Sequence, residues 1–150
     1  MTGTKTMRRT TIAVLGALAA AAALASGNAQ AQTTAPVKIG FIGTLSGPGG
    51  ALGQDQYDAF MLAVEQKGGK LGGAAVEVIK EDDQLKPDVG VQAAQKLVER
   101  DKVSIITGVT FSNVMMAIHK SITGAGVIMV GSNAGPAPIA GAQCSPNYFS

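Results

Sequence analysis

Of cysteine and histidine the sequence holds one each, Cys144 and His119, and it has no tryptophan. One cysteine cannot close a disulfide within the chain, and in an oxidising compartment an odd cysteine implies a partner elsewhere. His119 lies in a predicted helix beside Lys120, with no second ligand and no nucleophile near it. It therefore supports neither a metal site nor a catalytic relay, and reads as a surface residue. The glycine-rich stretch Gly47–Gly53 lacks the Gly-Lys-Ser/Thr ending of a phosphate loop, and Leu52 stands where the dinucleotide fingerprint needs its last glycine. The stretch reads as a tight turn that lets backbone approach a neighbour or a ligand. No Gly-x-Ser-x-Gly elbow surrounds Ser112, which argues against a hydrolase nucleophile. Asp82-Asp83 has no third acid or imidazole at useful spacing and reads as the solvated start of a loop. No metal or cofactor is called for, and the residues do not point to an enzyme.

Long apolar runs are also lacking. Ile12 to Leu24 is uncharged and rich in Ala and Leu, yet too short for the ~20 residues of a membrane-spanning helix. Lys5, Arg8 and Arg9 precede it, Ser26-Gly27-Asn28 breaks it, and Ala29-Gln30-Ala31 has the small-x-small pattern of a cleavage site. These features predict a signal peptide over residues 1–31, cut after Ala31. Thr10-Thr11-Ile12 does not continue Arg8-Arg9 into a twin-arginine signal, which leaves the general secretory route. No cysteine near the cut offers a lipid attachment point, so the expected product is a soluble periplasmic protein, not inserted in the membrane. Three of the 12 basic residues and none of the 10 acids lie in that segment. The remainder is near neutral, with no electrostatic case for nucleic acid or an anionic membrane.

From residue 32 onward strands and helices alternate. Val37–Gly43 reads as a buried parallel strand. A helix is predicted over Gln54–Gln66, with Tyr57, Phe60, Met61 and Val64 on one face, and Gly68-Gly69 and Gly72-Gly73 form a loop after it. Ala75–Ile79 reads as the second strand, closed by Glu81-Asp82-Asp83. Pro87 fits the first turn of a helix running to about Asp101, with Val91, Ala94 and Val98 inward. Val103–Thr107 is a third strand. A helix over Ser112–Thr123 turns Met115, Ile118 and Ile122 inward, and Gly126–Val130 is a fourth strand. This alternation implies an α/β fold, a parallel sheet with helices on both faces. Ligands of such sheets bind outside the carboxyl ends of the strands. That rule selects four loops: Leu45–Gly53, Asp82–Lys86, Gly108–Asn113 and Gly131–Pro138.

Two readings stand for Ser112, where a strand gives way to a helix. It either caps its own helix or donates to an anion held by the exposed N–H groups and the helix dipole. Spacing alone puts the cap ahead. Ser132-Asn133, after the next strand, supplies further donors to the same crevice, and two such loops side by side can hold a carboxylate. The lone cysteine, and an apolar run at Tyr148-Phe149 that Ser150 cuts short, predict that the natural chain continues.

Lys38-Ile39-Gly40-Phe41-Ile42-Gly43-Thr44-Leu45-Ser46-Gly47-Pro48 resembles the first strand and loop of the leucine/isoleucine/valine-binding family of periplasmic receptors. Later pieces follow in a similar order: the glycine loop at Gly68–Gly73, a strand ending in Asp82-Asp83, and Ala93–Val98 before a strand that turns at Gly108. The resemblance implies a two-lobed receptor that closes on its ligand and docks on the membrane permease of an ABC-type importer, residues 32–150 being most of the first lobe. It further implies that Ser112 holds the ligand carboxylate, with Thr110 and Phe111 beside it, and that Ser132, Asn133 and Ala134 add backbone and hydroxyl contacts. Two departures bear on the ligand. Ala134 stands where amino-acid-binding members carry a threonine, and Leu52 where they carry an aromatic ring. Phe111 also occupies one position of the family's usual disulfide. The expected function is a non-enzymatic, extracytoplasmic solute receptor for a small carboxylate, either a branched-chain amino acid or an aromatic or other organic acid. The alternative is a ligand-sensing domain of a signalling protein.

Overall fold

A computed structural model describes residues 35–150, so the signal-peptide expectation lies outside the described residues. The elements are β1 (Val37–Gly43), a 3-10 turn (Gly47–Gly49), α1 (Gly50–Gln66), β2 (Lys70–Leu71), β3 (Ala74–Asp82), α2 (Pro87–Gln95) running on into a wide π-type turn (Lys96–Arg100), β4 (Ile105–Gly108), α3 (Ser112–Gly124), β5 (Ile128–Gly131), α4 (Ala137–Ala140) and β6 (Tyr148–Phe149). They build one sheet in the order β2-β3-β1-β4-β5-β6. Every neighbouring pair is parallel except the β2–β3 hairpin, which the glycines of the Gly68–Gly73 segment close.

Alternation along β1 assigns the helices to opposite faces. Phe41 meets α1 through the rings of Tyr57 (5.0 Å between centroids) and Phe60 (5.9 Å). Its neighbour Ile42 points the other way, into a core with Leu97, Ile106, Val114, Met115, Ile118, Ile122 and Met129. α2 and α3 thus cover one face, and α1 covers the β1 and β3 part of the other. Each fully buried aliphatic or aromatic side chain contributes about 1.5–3 kcal/mol, so this two-sided burial is the main source of stability. On the α1 side, Ile128, Val130 and Phe149 of β5 and β6 remain exposed.

β3, β4 and β5 move by one to three residues from the expected Ala75–Ile79, Val103–Thr107 and Gly126–Val130, and three further sequence expectations shift. α1 starts at Gly50, four residues before Gln54, because the 3-10 turn leads straight into it. Across α2 and the wide turn after it, the most buried positions are Gly90, Ala93, Ala94 and Leu97, while Val91 and Val98 pack at the edge of the core. The wide turn after Gln95 rotates the helix face, which a constant 3.6-residue period does not anticipate. The third shift concerns His119, read as a surface residue and in fact 2% exposed. α3 packs against α2, the sheet and β6 together, so its buried stripe is broad enough to take in Val114 and His119 beside Met115 and Ile118. The imidazole meets Tyr148 edge-on at 5.3 Å, and neither ring nitrogen has a hydrogen-bond partner.

Burial, and secondarily the charge of Lys120, hold the His119 pKa below its usual 6.5. The folded chain therefore binds fewer protons here than the unfolded chain. The contribution of neutral His119 is complete above pH 6.5 and is lost as pH falls below it toward the depressed value. Denaturant midpoints measured between pH 7.5 and 5 should fall in the parent and fall less in His119→Phe. Equal slopes would show that His119 is not buried in its neutral form.

Candidate functional site

The chain enters the sheet at β1, then places β3 on one side of it and β4 on the other. Connections leave the carboxyl ends of β1 and β4 in opposite directions, and a crevice opens between them. All four loops selected from the sequence meet there. Asp82 Oδ1 accepts from Leu45 N–H (2.8 Å), and Asn133 Nδ2 donates to Thr110 O (2.7 Å). Asn113 Nδ2 donates to Leu85 O (3.4 Å), closing the ring of loops.

The geometry of the crevice starts from backbone conformations that few sequences tolerate. Gly108 has φ +96°, and a side chain there would run into the Ile42 carbonyl. Val109 follows at φ 58°, a left-handed conformation unusual for a β-branched residue, and its N–H donates to Ile42 O at 2.5 Å. This pair bends the chain out of β4 so that Thr110 turns back toward β1. Thr110 is buried, and its hydroxyl accepts from Thr44 N–H (3.1 Å) while donating to Gln56 Oε1 (3.0 Å). Gln56 Nε2 in turn donates to Ser132 Oγ (2.6 Å), and Ser132 Oγ donates to Gly108 O (3.2 Å). One continuous hydrogen-bonded chain ties α1 to the loops after β1, β4 and β5.

The two acids after β3 act on the same frame. Burial of Asp82 opposes its ionisation, but hydrogen bonds from the Ser46 hydroxyl and from the N–H groups of Leu45, Gln84 and Ser46 outweigh it and hold the carboxyl below the usual 3.8. Asp83, read from sequence as solvated, is fully buried. It accepts from the Thr44 hydroxyl (2.5 Å) and from Leu85 N–H (2.8 Å), because it directly follows β3 and its own N–H stays bonded to Gly43 O (3.0 Å), which sets the carboxyl against the loop after β1. Asp82 and Asp83 are anchors of the crevice wall.

The residues singled out from sequence divide by what their donors are doing. Ala134 is buried and its N–H is spent on Val109 O (3.2 Å). The hydroxyl of Thr110, the hydroxyl proton of Ser132 and one amide N–H of Asn133 are likewise committed to the protein. Phe111 is the residue that precedes α3, in extended conformation, and its ring lies against Gly49 of the β1 loop. Ser112 is different. It is the first residue of α3, exposed, and makes no capping hydrogen bond, which corrects the helix-cap reading. The first bond closing the helix runs from Met115 N–H to Phe111 O (3.1 Å), so the N–H groups of Ser112, Asn113 and Val114 lie ahead of it with no intrahelical acceptor. Leu52, in the first turn of α1, is 49% exposed and offers only an apolar surface. The start of α3 therefore combines a free hydroxyl, free N–H groups and the positive end of a 13-residue helix, an arrangement suited to an anion.

Sequence reasoning missed Thr44 and Gln56. The signal for Gln56 was present: it falls three residues after Gly53 and four before Phe60, a polar residue in an otherwise inward stripe. An open depression of about 400 Å³ lined by His119, Lys120, Thr123, Cys144 and Asn147 lies elsewhere, at the carboxyl end of α3. Among the described residues no group of three His, Cys, Asp or Glu side chains is placed to hold a metal ion, and no helix is long and apolar enough to cross a membrane.

This geometry has counterparts. An ABC transporter substrate-binding protein from Sphaerobacter thermophilus superposes with a TM-score of 0.73 at 35% identity, over 77% of this chain and 32% of that one. A solute-binding protein of an ABC transporter from R. palustris, solved in complex with benzoate, gives a TM-score of 0.73 at 32% identity, with the same coverage. The branched-chain amino acid transporter substrate-binding protein of Streptococcus pneumoniae, in complex with isoleucine, gives 0.69 at 26% identity over 77% of this chain and 33% of that one. The chain thus spans about a third of the length of these structures. No curated protein matches it. Residues 36–150 match the family model described as periplasmic binding protein, and the chain belongs to that family.

Proposed function

We propose that this chain forms the first lobe of an exported solute receptor that binds a small carboxylate and passes it, chemically unchanged, to the permease of an ABC-type importer. The observation that carries the reading is the start of α3, where Ser112 and the N–H groups after it are crevice donors left unspent. Each such bond to a charged acceptor is worth about 1.5–3 kcal/mol. An aromatic or other organic acid fits better than a branched-chain amino acid. Ala134 supplies no hydroxyl for an ammonium group, Leu52 leaves the mouth open and apolar, and the benzoate-bound relative shares more identity with the chain than the isoleucine-bound one. Export is part of the same reading, with residues 1–31 removed and Gln32 as the new amino terminus.

The test uses the full-length protein from the periplasmic fraction, its intact mass first checked for a start at Gln32. A thermal-shift screen then compares benzoate, hydroxybenzoates and aliphatic keto acids with leucine, isoleucine and uncharged sugars. Upward shifts with the aromatic acids are expected, larger than those with leucine or isoleucine. A response to leucine or isoleucine alone would reverse the ligand order, and a response to sugars alone would remove the carboxylate reading.

A further inference from the structure

We propose that Gln56 is a positioning residue of the crevice. By taking the Thr110 proton and holding the Ser132 side chain where its own proton goes to Gly108 O, it makes Ser132 an acceptor, so that the site prefers acids bearing a hydroxyl or ammonium group over the same acids without one. This rests on the carboxylate-receptor reading and adds a second recognition point to it.

Thr110 is 2% exposed and its oxygen already accepts from Thr44 N–H, so its single proton needs an acceptor inside the protein. Gln56 Oε1 at 3.0 Å is that acceptor. This fixes which way the amide faces and places Nε2 against Ser132 Oγ at 2.6 Å. An amide nitrogen can only donate. Ser132 must therefore accept there, and its own proton goes to Gly108 O at 3.2 Å. The side chain of Ser132, in an exposed residue, is left with one open lone pair and no free proton. A carboxylate has no proton to give it, whereas a hydroxyl or ammonium group does. The loop after β5 thus reads a donor on the ligand, and the start of α3 reads the anion. Neither Gln56 nor this polarity is visible from the loop residues alone, since each hydroxyl could serve in either sense.

Calorimetry on the full-length protein tests this with two matched pairs: the better of 3- and 4-hydroxybenzoate against benzoate, and leucine against 4-methylpentanoate. In the parent, at least one donor-bearing acid should bind about tenfold more tightly than its bare partner. In Gln56→Leu the preference should fall to about twofold or less, because the Ser132 side chain, no longer held by Gln56 Nε2, can turn away from Gly108 O and present its proton. Ser132→Ala should likewise lose the preference and Ser132→Thr should keep it. This second set decides the matter if Gln56→Leu does not fold for want of a partner to Thr110. A general loss of stability would not move the ratio. Bare acids bound as well as their partners by the parent, or an undiminished ratio in Ser132→Ala or in folded Gln56→Leu, overturns the proposal and leaves the carboxylate reading standing. Absence of binding by any of the four classes of acid overturns both.

Discussion

Gly53→Ala should destabilise the protein by about 2–4 kcal/mol, a large effect for one added methyl group at a helix position. A Cβ at Gly53 would overlap the carbonyl oxygen of Thr44 and lie 3.1 Å from the Thr110 hydroxyl. Neither neighbour is the movable end of a long side chain. The Thr44 carbonyl belongs to the backbone leaving β1, and Thr44 is itself held by Asp83 and Thr110. Relief would require α1 to lift off the sheet, parting Tyr57 and Phe60 from Phe41 and drawing Gln56 away from Thr110 and Ser132. Alanine's better helix propensity returns at most about 1 kcal/mol of this. Gly124→Ala is the matched control: it sits at the end of α3 with nothing within 4 Å of a Cβ, and should be neutral or slightly stabilising. Chemical denaturation of the two variants beside the parent checks the contrast. Equal stability of Gly53→Ala and Gly124→Ala would mean that α1 does not approach β1 this closely.

The same contact shows why some features were legible in the sequence and others were not. The alternation of strands and helices follows from local period, and β1 and the start of α2 were placed to the residue by an apolar run and by Pro87. The four loops of the crevice followed from topology, since the carboxyl ends of parallel strands must share one edge of the sheet. Which donors in those loops stay free is a different kind of information. Whether Ser112 caps its helix depends on a side-chain rotamer, and the hydrogen bonds of the Ser132 hydroxyl involve Gln56, 76 residues earlier in the chain. His119 and Asp83 were misplaced for a related reason. Each is polar and lies next to positions whose burial is obvious, but a helix touching three neighbours, or a strand end tucked beneath another loop, widens what counts as inside. Residue type sets the expectation of exposure, and long-range packing overrides it.

Ser112→Ala should weaken binding of benzoate or a hydroxybenzoate to the full-length protein on the order of 10–100-fold while leaving stability within about 0.5 kcal/mol of the parent. The two halves of this expectation come from one observation. Ser112 is exposed at the first position of α3 and makes no capping bond, so its hydroxyl does nothing for the free protein that alanine would fail to do. Had it capped the helix, its loss would cost about 0.5–2 kcal/mol of stability. Toward a bound carboxylate the hydroxyl instead donates a charge-assisted hydrogen bond at the positive end of a helix, worth about 1.5–3 kcal/mol, which corresponds to the stated loss of affinity at 1.4 kcal/mol per factor of ten. The N–H groups of the first turn survive the substitution, and residual binding should be measurable. Ser112→Thr keeps a hydroxyl and should recover most of the affinity. Calorimetry for affinity and denaturant unfolding for stability separate the outcomes. A drop in stability with unchanged affinity would return Ser112 to the role of an ordinary helix cap, and the carboxylate would have to be held elsewhere in the crevice.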